Sequence, residues 1–584
     1  MDNTMSGDAS TGANSRRSVV SGILFAGLAV HICCILILSS VPPISRDALN
    51  HHLVVPKLYL LHGGIYEIPH MFFAYFPMNV DLLYMVPLYF GNDIAPKYIH
   101  FFFALLTAGL IFKYLKKELN NIYGMIGALF FLTIPVVVKL SVTVYVDLGL
   151  IFFSWATLYY FLEWYDTNFR FRYLLISGVF CGLALGTKYN GLILLPIMGV
   201  LVAVGFSLKK NRLLDKNETL KRNVNSIHGI KWGGLFLLVA LIVFSPWMVR
   251  NIIWKQNPVY PLFDRVFHSL SSSAPSSPND KQNQEDSQNA FWTRRHIYKE
   301  SFGETLLIPV RAFFQGQDDN PKYFDGRLNP FLFFLPIMAF FRRKEDSCSE
   351  KKAHKFVFLL FSVFFILFVL FQSDFRIRYM SPAIPPLIVL AVFGLKNILG
   401  IAATQKTGWT KTIMMSVGVF TIILAFAYNA NYICEQFYYY IRPMDYLSGK
   451  VDRDTYISRY RKEHAVMVRA NQVLPAGAKV LCLSIGDRTY YLDRAAHLAK
   501  DFYDRKNGTF NESDILKKLK RYGTTHVIVD KHTLFNWLRT LDGNERGAFL
   551  NVFQHNTKTM YEKNGVLLLE VIHPEKIQKD DNGS

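Results

Sequence analysis

Asp47, His51 and His52 fall close together in the polar stretch 45–52, directly after one long apolar segment. Arg46 and Lys57 flank them. A carboxylate in such a loop can take a proton from an incoming hydroxyl or amine. Neighbouring histidines can relay protons or ligate a metal, and Lys or Arg can hold an anion through charge-assisted hydrogen bonds. Asp47 is therefore the expected base, or the group that orients an acceptor. His51 on its own reads more simply as a packed ring.

Further charges stand where apolar segments turn. Lys139 and Asp147 bracket one turn, Lys188-Tyr189 forms a tight one, and 374–379 carries Asp374, Arg376, Arg378 and Tyr379. Placing a Lys, Arg or Asp toward the middle of a span costs about 2.5–3.5 kcal/mol. Such groups face a watery cavity, pair with one another, or snorkel to headgroups as anchors. By strict alternation of the loops these turns all lie on the same membrane face as Asp47. Carboxylates among cations on one face suit a phosphorylated, lipid-linked substrate: the cations hold phosphate and a carboxylate handles the nucleophile. Asp147 could orient the acceptor, hold a metal or support Asp47.

The elements that must position these residues are apolar segments at 18–40, 95–114, 122–138, 145–162, 172–187, 190–207, 231–249, 328–341, 356–372, 379–396 and 412–431. They predict a polytopic α-helical membrane protein of about eleven spans. The stretch 80–90 is apolar but short, and reads as an interfacial helix. Basic loops alternate with the turns above, which puts the N-terminus inside and everything after about 432 outside. The chain divides into a polar, disordered cytoplasmic tail over 1–17 and a transmembrane domain over 18–432. The transmembrane domain carries extracytoplasmic loops 41–94 and 251–327, the latter with a low-complexity stretch at 269–289. A small extracytoplasmic α/β domain spans 433–584, with strands expected at 479–485, 525–529 and 566–572 and helices at 454–474 and 512–522.

The net charge of +20 would suit nucleic acid, but most Lys and Arg flank apolar segments, so they set topology and no nucleic-acid partner is expected. The six cysteines show no zinc or disulfide spacing.

Taken together, these residues resemble the GT-C membrane glycosyltransferases, within the bacterial branch related to protein mannosyltransferases and lipid A aminoarabinose transferase. The resemblance covers about 18–432. It rests on D-A-L-N-H-H-L-V-V-P-K-L-Y-L from Asp47, Y-F-P-M-N-V-D-L-L-Y from Tyr75, and Y-V-D-L-G from Tyr145. G-T-K-Y-N-G from Gly186 and R-I-R-Y-M-S-P from Arg376 complete it. It implies an inverting hexosyl- or pentosyl-transfer from a polyprenyl-phosphate sugar to a lipid, glycan or protein acceptor. The reaction would lie on the outer face of a bacterial cytoplasmic (inner) membrane. Asp47 and Asp147 would be catalytic. Lys188, Arg376 and Arg378 would bind phosphate, and His52, Lys57, Tyr189 and Tyr379 would line the substrate.

The chain departs from better-studied relatives where Asp47 is followed by Ala48 rather than Glu, and where His51 replaces a Tyr. Some GT-C enzymes use a divalent metal and others do not, and a single loop carboxylate argues mildly against one here. Asp81 is a spare acidic candidate whose plainer reading is a helix cap. Two other functions fit the same composition: a flippase for lipid-linked glycans, and a glycan ligase or polymerase with a pyrophosphate-linked donor. A flippase calls for midplane charges and paired broken helices, and the sequence shows no internal repeat.

Overall fold

In a computed structural model of the chain, the described residues are 5–212, 219–271, 293–341, 349–370, 375–403, 408–498, 502 and 510–572. Asp374 and most of the low-complexity stretch lie outside them. Two bodies make up the fold, a helical bundle and a small α/β domain.

Seven helices are long and apolar enough to cross a bilayer: Ser18–Ser39, Ala95–Glu118, Tyr189–Asn211, Lys221–Lys255, Lys352–Leu370, Ile377–Ala402 and Gly408–Tyr440. An eighth span forms if the pair Asn121–Thr133 and Pro135–Ser141, bent by 66°, counts as one. Asn120 starts that pair by accepting from the Tyr123 amide, and Pro135 breaks it, having no N–H to continue the ladder. Helices Asp147–Asp166, Phe171–Leu185 and Phe331–Met338 occupy three more of the expected segments, but they are shorter or less apolar. Among the described residues, length and composition thus support seven or eight spans and the expected eleven is not confirmed: Asp147–Asp166 is long enough but carries Asp147, Glu163 and Asp166, and the other two are short. The first helix reaches back to Met5, into the segment expected to be disordered.

Between lipid-facing helices no hydrophobic effect drives association, so close packing has to supply it. Gly182 shows how: a Cβ there would stand 2.5 Å from the Ala240 carbonyl oxygen, so only glycine lets Phe171–Leu185 approach Thr219–Lys255 this closely. A short helix forms over Asn79–Tyr89, in the apolar stretch expected at 80–90.

The C-terminal sheet has five strands, β1 (Lys479–Leu483), β2 (Ala495–Leu498), β3 (His526–Asp530), β4 (Thr557–Lys563) and β5 (Val566–Val571), in the order β2-β1-β3-β5-β4. β1 runs parallel to β2 and β3, and the β4–β5 hairpin is antiparallel. Alternate residues feed two cores. Leu481, Leu483, Val527 and Val529 pack on the helices Glu512–Arg521 and Gly543–Asn556. Val480, Cys482 and Ile528 pack on His464–Val473. The helix expected over 454–474 is broken in two, Arg453–Tyr460 and His464–Val473.

Candidate active site

Asp47 lies immediately before a π-helix, Ala48–His52, closed by Leu53 N–H donating to the Ala48 carbonyl at 3.0 Å. π-Turns are rare and recur at functional sites. From the far end of the sequence, Arg378 reaches it from the 3₁₀ turn Ile377–Ala383 and donates Nη2–H to Asp47 Oδ2 at 2.7 Å. Burial alone would raise the Asp47 carboxyl. The Arg378 charge outweighs that, helped by His51, His52 and the hydrogen bond, and holds it well below the usual carboxylate range.

Asp147 begins the helix Asp147–Asp166 and is 1% exposed. Its Oδ1 accepts from Lys188 Nζ at 2.8 Å, and its Oδ2 is buried without a hydrogen-bond partner. His100 holds this helix start: Nε2 accepts the Leu148 amide at 2.9 Å while Nδ1 faces the Leu140 and Thr143 carbonyls at 2.9 and 3.0 Å. That leaves the neutral Nδ1–H tautomer as the one that satisfies all three contacts.

Two aromatic rings join these ion pairs. Arg378 stands over Tyr145 at 4.8 Å and Tyr379 at 5.4 Å, and Lys188 over Tyr379 at 5.1 Å. His52 lies 5.6 Å from the Tyr145 ring and bonds Asp81 Oδ1 through Nδ1 at 2.6 Å. Asp81 is therefore no helix cap. Met78 holds the cap position, and Asp81 points inward from the first turn, 2% exposed. His51 stacks on Phe73 at 4.3 Å, as a packed ring would.

Burial raises the Asp81 carboxyl to about 7 and lowers His52 to about 3. In the folded protein the two hold one proton across that window. In the unfolded chain one proton is held only between their model values of 3.8 and 6.5. The pair's contribution to stability is therefore level between 3.8 and 6.5 and falls as pH rises from 6.5 through about 7, where the folded site still holds a proton that the unfolded chain has lost. An activity profile limited on its basic side near pH 7 is expected, and Asp81→Asn should remove that limb. A limb unchanged in the variant would assign it elsewhere.

Asn79 sets the spacing between Asp81 and Lys188. Its amide N–H donates to the Gly186 carbonyl at 2.8 Å, its Nδ2 to the Leu183 carbonyl at 3.3 Å, and its Oδ1 accepts from Trp247 Nε1 at 2.8 Å. A Cβ on Gly186 would lie 2.2 Å from that held Nδ2. Gly186→Ala should therefore cost about 1–3 kcal/mol by overpacking, read as a lowered Tm in detergent. A wild-type Tm would show that Asn79 can move aside.

Three expected substrate residues point elsewhere. Arg376 is extended (φ −123°, ψ 143°) and precedes the 3₁₀ turn that carries Arg378, and it pairs with Asp325 at 3.0 Å. Lys139 joins the same second cluster, 3.3–3.6 Å from Asp318, Asp319 and Asp325. Lys57 is held by the C-terminal domain, pairing with Asp493 at 2.8 Å. The Tyr189 hydroxyl donates to the Tyr260 carbonyl at 2.7 Å, beside Asn251. Lys188, Arg378, Tyr379, His52, Asp47 and Asp147 do meet. Tyr145 and the inward role of Asp81 were not anticipated, although both lie inside the quoted motifs.

Asp47 and Asp147 each give one oxygen to a side-chain cation and Asp81 gives Oδ1 to His52, which leaves Asp147 Oδ2 as the buried oxygen without a partner. Among the described residues, the grouping of three close ligand atoms is Glu118, Asp166 and His354, at the opposite end of the helix that Asp147 begins.

Residues 88–250 match the family model described as dolichyl-phosphate-mannose-protein mannosyltransferase. No curated protein matches the chain by sequence. Among solved structures, ArnT from Cupriavidus metallidurans in the apo state is similar with a TM-score of 0.53 at 13% identity, covering 94% of this chain and 98% of that one. The same protein bound to undecaprenyl phosphate gives 0.53 at 14%, with the same coverage. The Archaeoglobus fulgidus oligosaccharyltransferase in complex with Zn and sulfate gives 0.54 at 11%, covering 93% of this chain and 73% of that one. This chain thus shares the fold of ArnT and of the archaeal oligosaccharyltransferase, and its residues 88–250 match the mannosyltransferase family model.

Proposed function

We propose that the protein transfers a sugar from a polyprenyl-phosphate donor to an acceptor hydroxyl or amine at the outer face of the cytoplasmic membrane, with inversion at the anomeric carbon. The observation that carries this reading is the convergence of the Asp47–Arg378 and Asp147–Lys188 pairs around Tyr145 and Tyr379 at one end of the bundle. The similar ArnT structure with undecaprenyl phosphate supports the donor class.

The acceptor oxygen or nitrogen forms the new bond to the anomeric carbon as the bond from that carbon to the phosphate oxygen breaks. The electron pair leaves on the phosphate, where Lys188 and Arg378 stabilise the developing charge. The acceptor proton goes to Asp47. While Arg378 is bound to Asp47 alone, that carboxylate is a weak base. A donor phosphate competing for the guanidinium releases Asp47 toward its ordinary basicity, so proton acceptance is coupled to donor binding. Asp147, with one oxygen unpartnered, keeps Lys188 aimed at the phosphate.

The test is incubation of purified protein with radiolabelled undecaprenyl-phosphate sugars, both hexoses and pentoses, and membrane lipid, glycan or peptide acceptors. Covalent label on an acceptor supports the reading. Label that crosses vesicles without chemical transfer would replace it with transport.

A further inference from the structure

The loop that carries Asp47 is held from outside the membrane bundle. Several hydrogen bonds tie segment 43–57 to the C-terminal domain. The Tyr491 hydroxyl donates to the Pro43 carbonyl at 2.8 Å, and Arg461 Nε–H donates to the Ile44 carbonyl. The Tyr490 amide donates to the Leu49 carbonyl at 3.3 Å. Lys57 Nζ donates to the Tyr490 carbonyl at 2.8 Å and pairs with Asp493 at 2.8 Å. A further tie, Arg453 to Asp93, fastens the domain just beyond the helix Asn79–Tyr89. Asp47 and the π-helix lie between these anchors.

The 490–493 turn is itself pinned within its domain. Asn471 Nδ2 donates to the Tyr491 carbonyl at 2.9 Å, and Asn471 Oδ1 accepts from the Asp493 amide at 2.8 Å. The His464 ring meets Tyr491 edge-on at 4.7 Å. The π-turn runs through Leu53 into the helix Val54–His62, so where it stands depends on what holds that helix and the residues before Asp47. Arg378, its partner, arrives from a different element more than three hundred residues away and cannot place the loop by itself.

We propose that the C-terminal domain is a working part of the catalytic centre: its 490–493 turn and Arg461 clamp the first loop and set where Asp47 stands against Arg378. Lys57, Arg461 and Tyr491 are then positioning residues. This rests on the reading of Asp47 as the group that meets the acceptor. A misplacement of about 1 Å at a reacting group can cost on the order of 10²-fold in rate.

The test uses the full chain carrying Tyr491→Phe with Arg461→Lys, and separately Lys57→Met and Lys57→Arg. Two quantities are read: hydrogen exchange over 44–57, and transfer of whichever undecaprenyl-phosphate sugar the wild type moves. Exchange over 44–57 should rise and kcat fall by about tenfold or more in the double variant and in Lys57→Met, with donor KM held within about twofold. Exchange of β1 and β3 should stay at wild-type levels, and Lys57→Arg should restore kcat. If the double variant loosens β1 and β3 as well, Lys57→Met, which alters the membrane side alone, decides. Unchanged exchange over 44–57, raised exchange with wild-type kcat, or an effect confined to KM would each overturn the clamp. If the wild type moves no sugar, the glycosyltransferase reading falls, and the clamp stands or falls on exchange over 44–57.

Discussion

Asp47→Asn is expected to insert and fold normally while kcat for transfer drops by about 10²–10⁴-fold. The side chain keeps its shape, and its carbonyl oxygen can still accept the Arg378 bond now made at 2.7 Å. What disappears is the negative charge. Arg378 is left without its counter-ion in a buried setting, 8% exposed, and the best available replacement is a donor phosphate. Donor KM should therefore stay level or fall while kcat collapses, because the change removes an interaction made by the nucleophile in the transition state and not one made by the donor. The measurement is initial rates against donor concentration, with elution as a single species in size exclusion as the folding control. A variant keeping more than about a tenth of wild-type kcat would take Asp47 out of the chemistry.

Lys188→Met is the second large effect, and it should act on stability and activity together. Asp147 is buried with one oxygen already lacking a hydrogen bond, and Lys188 supplies the bond to the other. Removing one member of a buried pair costs about 3–5 kcal/mol. Lys188 keeps 18% of its side-chain surface exposed, so the lower end applies. Asp147→Asn in the same chain should recover most of that stability, since no uncompensated charge then remains. It should not recover transfer, because the cation facing the leaving phosphate is still missing. Thermal unfolding in detergent reads the first part and product formation the second. A double variant as unstable as the single would mean that the loss came from packing around Tyr379 and not from the stranded carboxylate.

Much of this protein is legible in local composition. Membrane segments, the helix Asn79–Tyr89 and the three buried strands β1, β3 and β5 announce themselves as apolar runs, because burial on a given scale demands a given run length. The exposed hairpin strand β4 did not, since its side chains are mostly solvated and carry no periodic signal. Short apolar runs were also counted as spans, because a run cannot say whether it crosses the bilayer or packs inside the bundle.

The site residues were legible as a class but not as partners. Charges at the ends of apolar segments are costly and so stand out singly, which is how Asp47, Asp147, Lys188 and Arg378 were found. Nothing local distinguishes Arg376 from Arg378. Arg376, extended before the 3₁₀ turn, pairs with Asp325, and Arg378, within the turn, pairs with Asp47. Asp81 reads as a cap in sequence because its inward aim depends on His52 lying across from it.

Sequence alone determined that this is a polytopic membrane protein with a small C-terminal α/β domain and a set of acidic and basic turn residues, since each of these follows from the solvent a segment must meet. Tertiary structure alone decided which charges pair, that Lys57 serves the domain interface, and that the C-terminal domain grips the first loop. Those outcomes depend on contacts between segments far apart in the chain, and the direction of a side chain across such a contact is set by packing that no local pattern encodes.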